Sequence, residues 1–130
     1  MWFENAIGKE KIQFMFNNEL NIENIEVDNF SLERFSDLKI RFYCKNIPKK
    51  HPEKWSKEGF NALSLVVTFG DVIQFDFTGS RVGLFCSPII KSQKEHSEIT
   101  IKHKDFDLYC KARFLTIEGV TPYIDERWDE

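Results

Sequence analysis

From Ala62 to Ser80 the chain reads ALSLVVTFGDVIQFDFTGS, and its apolar residues fall on every second position. That period of two constrains the fold more than any other feature. Successive side chains of a strand point to opposite faces, so alternation over this length means a strand with one face buried and one wet. The pattern recurs. Ile25 and Val27 alternate with Glu26 and Asp28. Leu38, Ile40, Phe42 and Cys44 alternate with Lys39, Arg41, Tyr43 and Lys45. EITIKHK and DFDLYCKARFLTIEGV repeat it, the latter placing Phe106, Leu108, Cys110, Ala112 and Phe114 on one face.

Gly70-Asp71 divides the first run into two strands, with Leu63, Leu65, Val67 and Phe69 on one face of the first and Ile73, Phe75 and Phe77 on one face of the second. Pro88 marks residues 82–90 as an edge or a strand end. Short polar connections and one-sided alternation require antiparallel pairing, since parallel strands need long crossovers. The expected fold is mainly β: an antiparallel β-sandwich or partly open barrel of about seven to eight strands with a short N-terminal helix. Ile12, Met15 and Phe16 place that helix within residues 9–16, and Asn17 and Asn18 stop it. At 130 residues the chain is one expected domain, 1–130, closing on an acidic tail at 124–130. Thirteen phenylalanines predict a Phe-rich core.

Between two strand runs lies NIPKKHPEKWSKEGFNA, residues 46–62, with four lysines around Trp55. Lysines beside an aromatic are the elements of a single-strand nucleic-acid platform. Against that, Pro48 and Pro52 stiffen the segment, Glu53 and Glu58 dilute its charge, and the whole chain carries a net charge of −3, whereas nucleic-acid affinity rests on many Lys and Arg contacts to phosphate. The segment reads as an ordered crossing, with Trp55 and Phe60 tucked in and the lysines in water.

Catalytic and metal chemistries find no pattern. Cys44, Cys86, Cys110, His51, His96 and His103 show no C-x2-C or H-x3-H spacing, and Cys44 and Cys110 fall in the apolar register of their strands. His103 lies inward near a strand end. Gly79, Arg81 and Gly83 form a turn between strands, and no nucleophile elbow appears. The expectation is a protein that is not an enzyme and needs no metal and no cofactor. An odd cysteine count, no secretory signal and no apolar run of membrane-spanning length set the expected location as the cytoplasm.

The acidity is uneven. Residues 20–33 carry Glu23, Glu26, Asp28 and Glu33, and residues 118–130 carry Glu118, Asp125, Glu126, Asp129 and Glu130 against Arg127. Such patches are solvated faces by default, and they are also what meets a basic partner quickly.

The order of short motifs points to a family. Met1-Trp2-Phe3-Glu4-Asn5 precedes a short helix, and an Ile25-Glu26-Val27 strand and its hairpin partner follow. Lys54-Trp55 and Gly59-Phe60-Asn61 then lead into LSLVVTF, and I-E-G-V-T-P-Y closes the body at residues 117–123. The layout over residues 1–123 resembles the immunity proteins of bacterial polymorphic toxin systems, in particular the fiftieth numbered immunity family. The tail YIDERWDE departs from it. The resemblance implies a cytoplasmic antitoxin that pairs as a heterodimer with a cognate toxin domain of a contact-dependent or related secreted system and blocks it by occluding its active site. Toxins of such systems are often nucleases, an RNase being the expected one. Neither direct nucleic-acid binding nor a membrane role follows. No contact residues carry over from the family. On charge and aromatic content, the expected toxin-binding residues are Glu23, Glu26, Asp28, Asp125, Glu126, Trp128, Asp129 and Glu130, with Trp128 as an aromatic anchor among acids. The alternative is a β-barrel module holding a small apolar ligand in a Phe-lined cavity.

Overall fold

A computed structural model describes residues 1–33 and 36–128 of the chain. Helix α1 (Glu10–Phe16) leads into β1 (Ile25–Glu33) and β2 (Asp37–Cys44). A second short helix, α2 (Glu53–Glu58), precedes β3 (Ala62–Gly79), β4 (Phe85–Cys86), β5 (Ile89–Ser92), β6 (Ser97–Ile101) and β7 (Phe106–Tyr123), and a 3-10 turn spans Glu126–Trp128. The seven strands form one antiparallel sheet in the order β4-β1-β2-β3-β7-β6-β5. The mainly β antiparallel expectation holds, in its partly open form: one sheet rather than two.

Curling of the sheet follows from its connectivity. Its two edge strands, β4 and β5, are consecutive and joined only by Ser87-Pro88. In a flat sheet six strand spacings would separate those edges by about 29 Å. Three Cα steps span at most about 11 Å. The edges are therefore brought side by side, although β4 and β5 do not pair. The long strands β3 and β7 make this possible. Residues 62–69 of β3 lie between β2 and the second half of β7, whereas residues 72–79 pair with the first half of β7 alone. The bend between the halves falls at Gly70 and Asp71. Asp71 takes a left-handed φ of 55°, its N–H donates to Asp37 Oδ1 at 3.0 Å, and its carboxylate meets Arg113 Nε at 2.8 Å. A Cβ on Gly70 would stand 2.2 Å from the Phe114 ring. The Gly-Asp pair thus bends one continuous strand instead of ending it.

A bulge and the bend each correct one position of the predicted faces. Register shifts between Val72 and Gln74, so Val72, opposite buried Ala112, packs on the core and Ile73 is 51% exposed. On β7 the register is unbroken between Ala112 and Leu115, but opposite the Gly70-Asp71 bend the inward phase moves from Ala112 to Leu115, and Phe114, the partner of Gly70, is left 43% exposed. At Ile73 one extra residue in the strand changes the phase of the side chains beyond it.

The enclosed space is filled largely by phenylalanine: Phe3, Phe16, Phe42, Phe69 and Phe106 are fully buried. Phe30 of β1 meets Phe106 of β7 edge-on at 5.4 Å and Phe77 of β3 at 4.9 Å, so one half of the curled sheet packs on the other. Helix α1 buries Ile12 and Phe16 and ends at Asn17 in the left-handed conformation, as predicted. Ahead of it, Ile7 bridges Thr116 in parallel, donating to Leu115 O and accepting from Ile117 N–H, each at 2.8 Å. Gly8 permits that approach, since a Cβ there would lie 2.7 Å from Ile117 O.

Candidate functional site

Antiparallel order gathers four separate segments at one end of the sheet. β1 and β3 begin there, β2 and β7 end there, and the Ser87-Pro88 link crosses nearby. The turn at residues 19–24, the crossing at 45–61 and the tail after Tyr123 therefore converge. Side chains pin each of them. Trp2 Nε1 donates to Leu20 O at 2.9 Å, Glu23 N–H to Asn21 Oδ1 at 2.6 Å and Asn24 N–H to Ser87 Oγ at 2.9 Å.

The crossing segment is ordered as expected, but part of it is helix α2 rather than loop. Pro52 stands at its N-cap, where a missing N–H costs nothing. Trp55 is 5% exposed and packs edge-on against Phe16 at 5.7 Å and Phe60 at 5.8 Å. His51 bridges Pro48 O at 3.0 Å and Ser56 Oγ at 2.9 Å. Lys49, Lys50, Lys54 and Lys57 are exposed. Trp55 is thus an anchor with its ring turned inward, not a stacking platform.

Between Trp2, the turn at 19–24, the start of the crossing and the Ser87-Pro88 link opens a cleft of about 1010 Å³, which the tail does not line. Trp2, Ile22, Ile47, Pro48 and Ile89 supply apolar wall, and Glu19, Glu23 and Lys49 stand among its lining residues. Ile89 is 58% exposed, and both glutamates are exposed. Apolar surface rimmed by carboxylates suits a partner that presents an apolar anchor flanked by basic side chains.

The tail is bound to the body through Arg127. Its Nη1 and Nη2 donate to the two oxygens of Glu26 at 3.0 and 2.7 Å, a bidentate pair joining residues 101 positions apart. Its N–H and Nε donate to Asp125 Oδ1 at 3.0 and 2.9 Å. Asn61 clasps the Asp125 backbone, donating to its O at 2.9 Å and accepting from its N–H at 2.7 Å. Hydrogen bonds from the Arg127 guanidinium hold the Asp125 carboxyl down at about 2. Tyr123 also donates to Asp125, and burial raises its phenol well above the usual range, reinforced by that carboxylate.

The expected site residues therefore separate. Glu23 is exposed at the cleft. Glu126 is exposed in the 3-10 turn at the same end. Glu26 and Asp125 are 4% and 8% exposed and already engaged by Arg127, so they shape this end without offering free charge. Asp28 is half-buried and accepts from Asn29 Nδ2 at 2.8 Å. The backbone of Trp128 closes the 3-10 turn; Asp129 and Glu130 lie outside the described residues. Sequence reasoning did not find the cleft wall or Arg127. An exposed isoleucine carries no distinguishing mark in sequence, and a single arginine in an acidic tail was the one available hint of a latch.

The thiols of Cys44, Cys86 and Cys110 are buried, and burial pushes each up to about 12. At neutral pH they are packing groups, not nucleophiles. His103 accepts from Asp105 N–H at 3.0 Å and serves the turn before β7. Among the described residues no group of His, Cys, Asp and Glu is arranged to hold a metal ion, and no helix is long and apolar enough to cross a membrane.

A family model described as Immunity protein 50 matches residues 8–123, which include all seven strands, both helices and every cleft residue except Trp2. No curated protein and no solved structure gives a significant match.

Proposed function

The chain belongs to the immunity protein 50 family, and from that premise we propose that it neutralises a cognate toxin domain by binding it one-to-one at the end of the sheet that bears the cleft. The observation that carries the proposal is the cleft itself: four segments, distant in sequence, are pinned around an apolar wall with exposed Glu19 and Glu23 beside it. Inhibition is by occlusion, without chemistry by this chain. The toxin is a nuclease, an RNase, whose basic substrate cleft accepts the rim carboxylates, and Glu126, exposed at the same end of the sheet, adds to its acidity. A net charge of −3 supports steered association with such a surface. The encounter takes place in the cytoplasm, where buried free thiols stay reduced.

The test is calorimetric titration with the toxin domain encoded beside this chain. A one-to-one complex is expected. Glu19→Lys/Glu23→Lys should slow association about tenfold at low salt and flatten its salt dependence. No complex, or an association rate indifferent to both substitutions, refutes the site. The small-ligand reading rests on phenylalanines lining a cavity, whereas Phe30, Phe77 and Phe106 here pack ring against ring.

A further inference from the structure

The sheet carries a second surface, far along β3 from the cleft. Beyond the bend, residues 72–79 pair with β7 on one side, and among the described residues nothing pairs with the other side. An open row of backbone donors and acceptors is a template for another strand. Proteins blunt such edges with charge or bulges. Here the bulge sits at the start, at Ile73, and leaves residues 74–79 in regular register with β7. Apolar side chains remain in the open along this edge: Ile73 is 51% and Phe77 37% exposed.

The residues along the edge read Ile73-Gln74-Phe75-Asp76-Phe77. Phe75 and Phe77 share the inward face with their partners Cys110 and Leu108, whereas Gln74 and Asp76 lie outward opposite Lys111 and Tyr109. This order is self-complementary when run antiparallel against itself about Phe75. Phe75 then meets Phe75 of the other strand on the inward face and Gln74 meets Asp76 on the outward face, while Ile73, turned outward at the bulge, makes no same-face pair with Phe77. One aromatic ring faces its copy, an amide donor faces a carboxylate, and no two acids are opposed. Shifting the centre one residue to Asp76 would set the two aspartates against each other, which is unfavourable. Gln74 Nε2 already donates to Asp76 Oδ2 at 2.7 Å within the chain, so the same donor and acceptor need only exchange partners.

We propose that a second copy of this chain occupies the edge, pairing β3 with β3 antiparallel about a two-fold axis through Phe75, so that the two sheets become continuous. An isologous contact of this kind closes at two copies and does not propagate. It lies at the opposite end of β3 from the cleft, so each copy keeps its cleft free and the pair holds two toxin domains. The inference stands on the edge alone and does not depend on what the cleft binds.

Sedimentation equilibrium of the full chain over micromolar to millimolar concentration, without toxin, tests it. A concentration-dependent dimer is expected, with amides in residues 74–79 gaining hydrogen-exchange protection as it forms. Gln74 is exposed, so charge changes there leave the fold intact. Gln74→Lys sets a cation opposite Asp76 twice per dimer and should tighten association roughly fivefold; Gln74→Asp sets two carboxylates face to face and should loosen it roughly fivefold. A monomer at every concentration overturns the proposal. So do equal effects of the two substitutions, or protection of residues 74–79 that appears only when toxin is added.

Discussion

Replacing Trp55 with alanine separates an anchor from a nucleic-acid finger. At a buried site, Trp→Ala costs about 3–5 kcal/mol through lost transfer energy and the cavity left behind. Trp55 is 5% exposed, and its edge-to-face contacts with Phe16 and Phe60 account for about 1 kcal/mol each of such a loss. Helix α2 is only six residues long, and a peripheral element of this size can open without the rest of the fold. Some of the cost is therefore escaped by local release, which places the global loss near the low end, about 3 kcal/mol. For a chain of this length that lowers the melting temperature by about 10 °C. Urea unfolding followed by circular dichroism reads the global loss, and hydrogen exchange of amides 53–59 reads the local one. Changing Lys49, Lys50, Lys54 and Lys57 to Gln should alter stability by no more than about 0.5 kcal/mol at each site. The reasoning is refuted if Trp55→Ala costs under about 1 kcal/mol, or if either change abolishes an affinity for single-stranded RNA.

Gly70→Ala should cost about 1–2 kcal/mol by crowding the Phe114 ring; because that ring is partly exposed and can be removed, Gly70→Ala in a Phe114→Ala background should cost under half as much, read from a double-mutant cycle of urea midpoints. Asp125 has a folded pKa held down at about 2 against an ordinary 3.8, so its ionised form favours folding. That contribution is fully present above about pH 4 and is lost as pH falls through about 2. Asp125→Asn should therefore flatten the pH dependence of the unfolding midpoint between pH 4 and 2, and an unchanged slope there contradicts the latch. With its thiol pushed up to about 12, fully buried Cys44 should resist a thiol reagent at pH 8 in the folded chain and react fully in urea; rapid labelling of folded protein would contradict the packing described.

The alternation of apolar residues was enough to read the strands, their antiparallel pairing and the Phe-filled interior, because burial on one face imposes a period of two wherever it occurs. Helix α1 was legible from Ile12, Met15 and Phe16 and ended where Asn17 placed it. The errors gather where long-range geometry overrides local pattern. Gly70-Asp71 has the composition of a turn, yet β3 bends there and continues, because β7 runs beside it through both halves. Val72 rather than Ile73 faces the core because a bulge changes the phase without a signature of its own, and Leu115 rather than Phe114 because the sheet bends opposite it at Gly70-Asp71. At the candidate site, Glu26 looked like an outward carboxylate of an alternating strand. Its burial depends on Arg127, 101 residues away, and on β4 beside it, neither of which a local reading of residues 25–33 contains. The exposure of Glu23 was legible because a charge in a turn needs no tertiary information.

The most direct measurement is growth of cells expressing the neighbouring toxin domain together with this chain, either unaltered or carrying Ile89→Asp/Glu23→Lys in the cleft. Ile89 and Glu23 are exposed, so the variant should fold with an unchanged melting temperature. The account predicts full rescue by the unaltered chain and loss of rescue by the folded variant. No rescue by the unaltered chain would contradict a neutralising role, and full rescue by both would contradict the cleft as the place where the toxin is held.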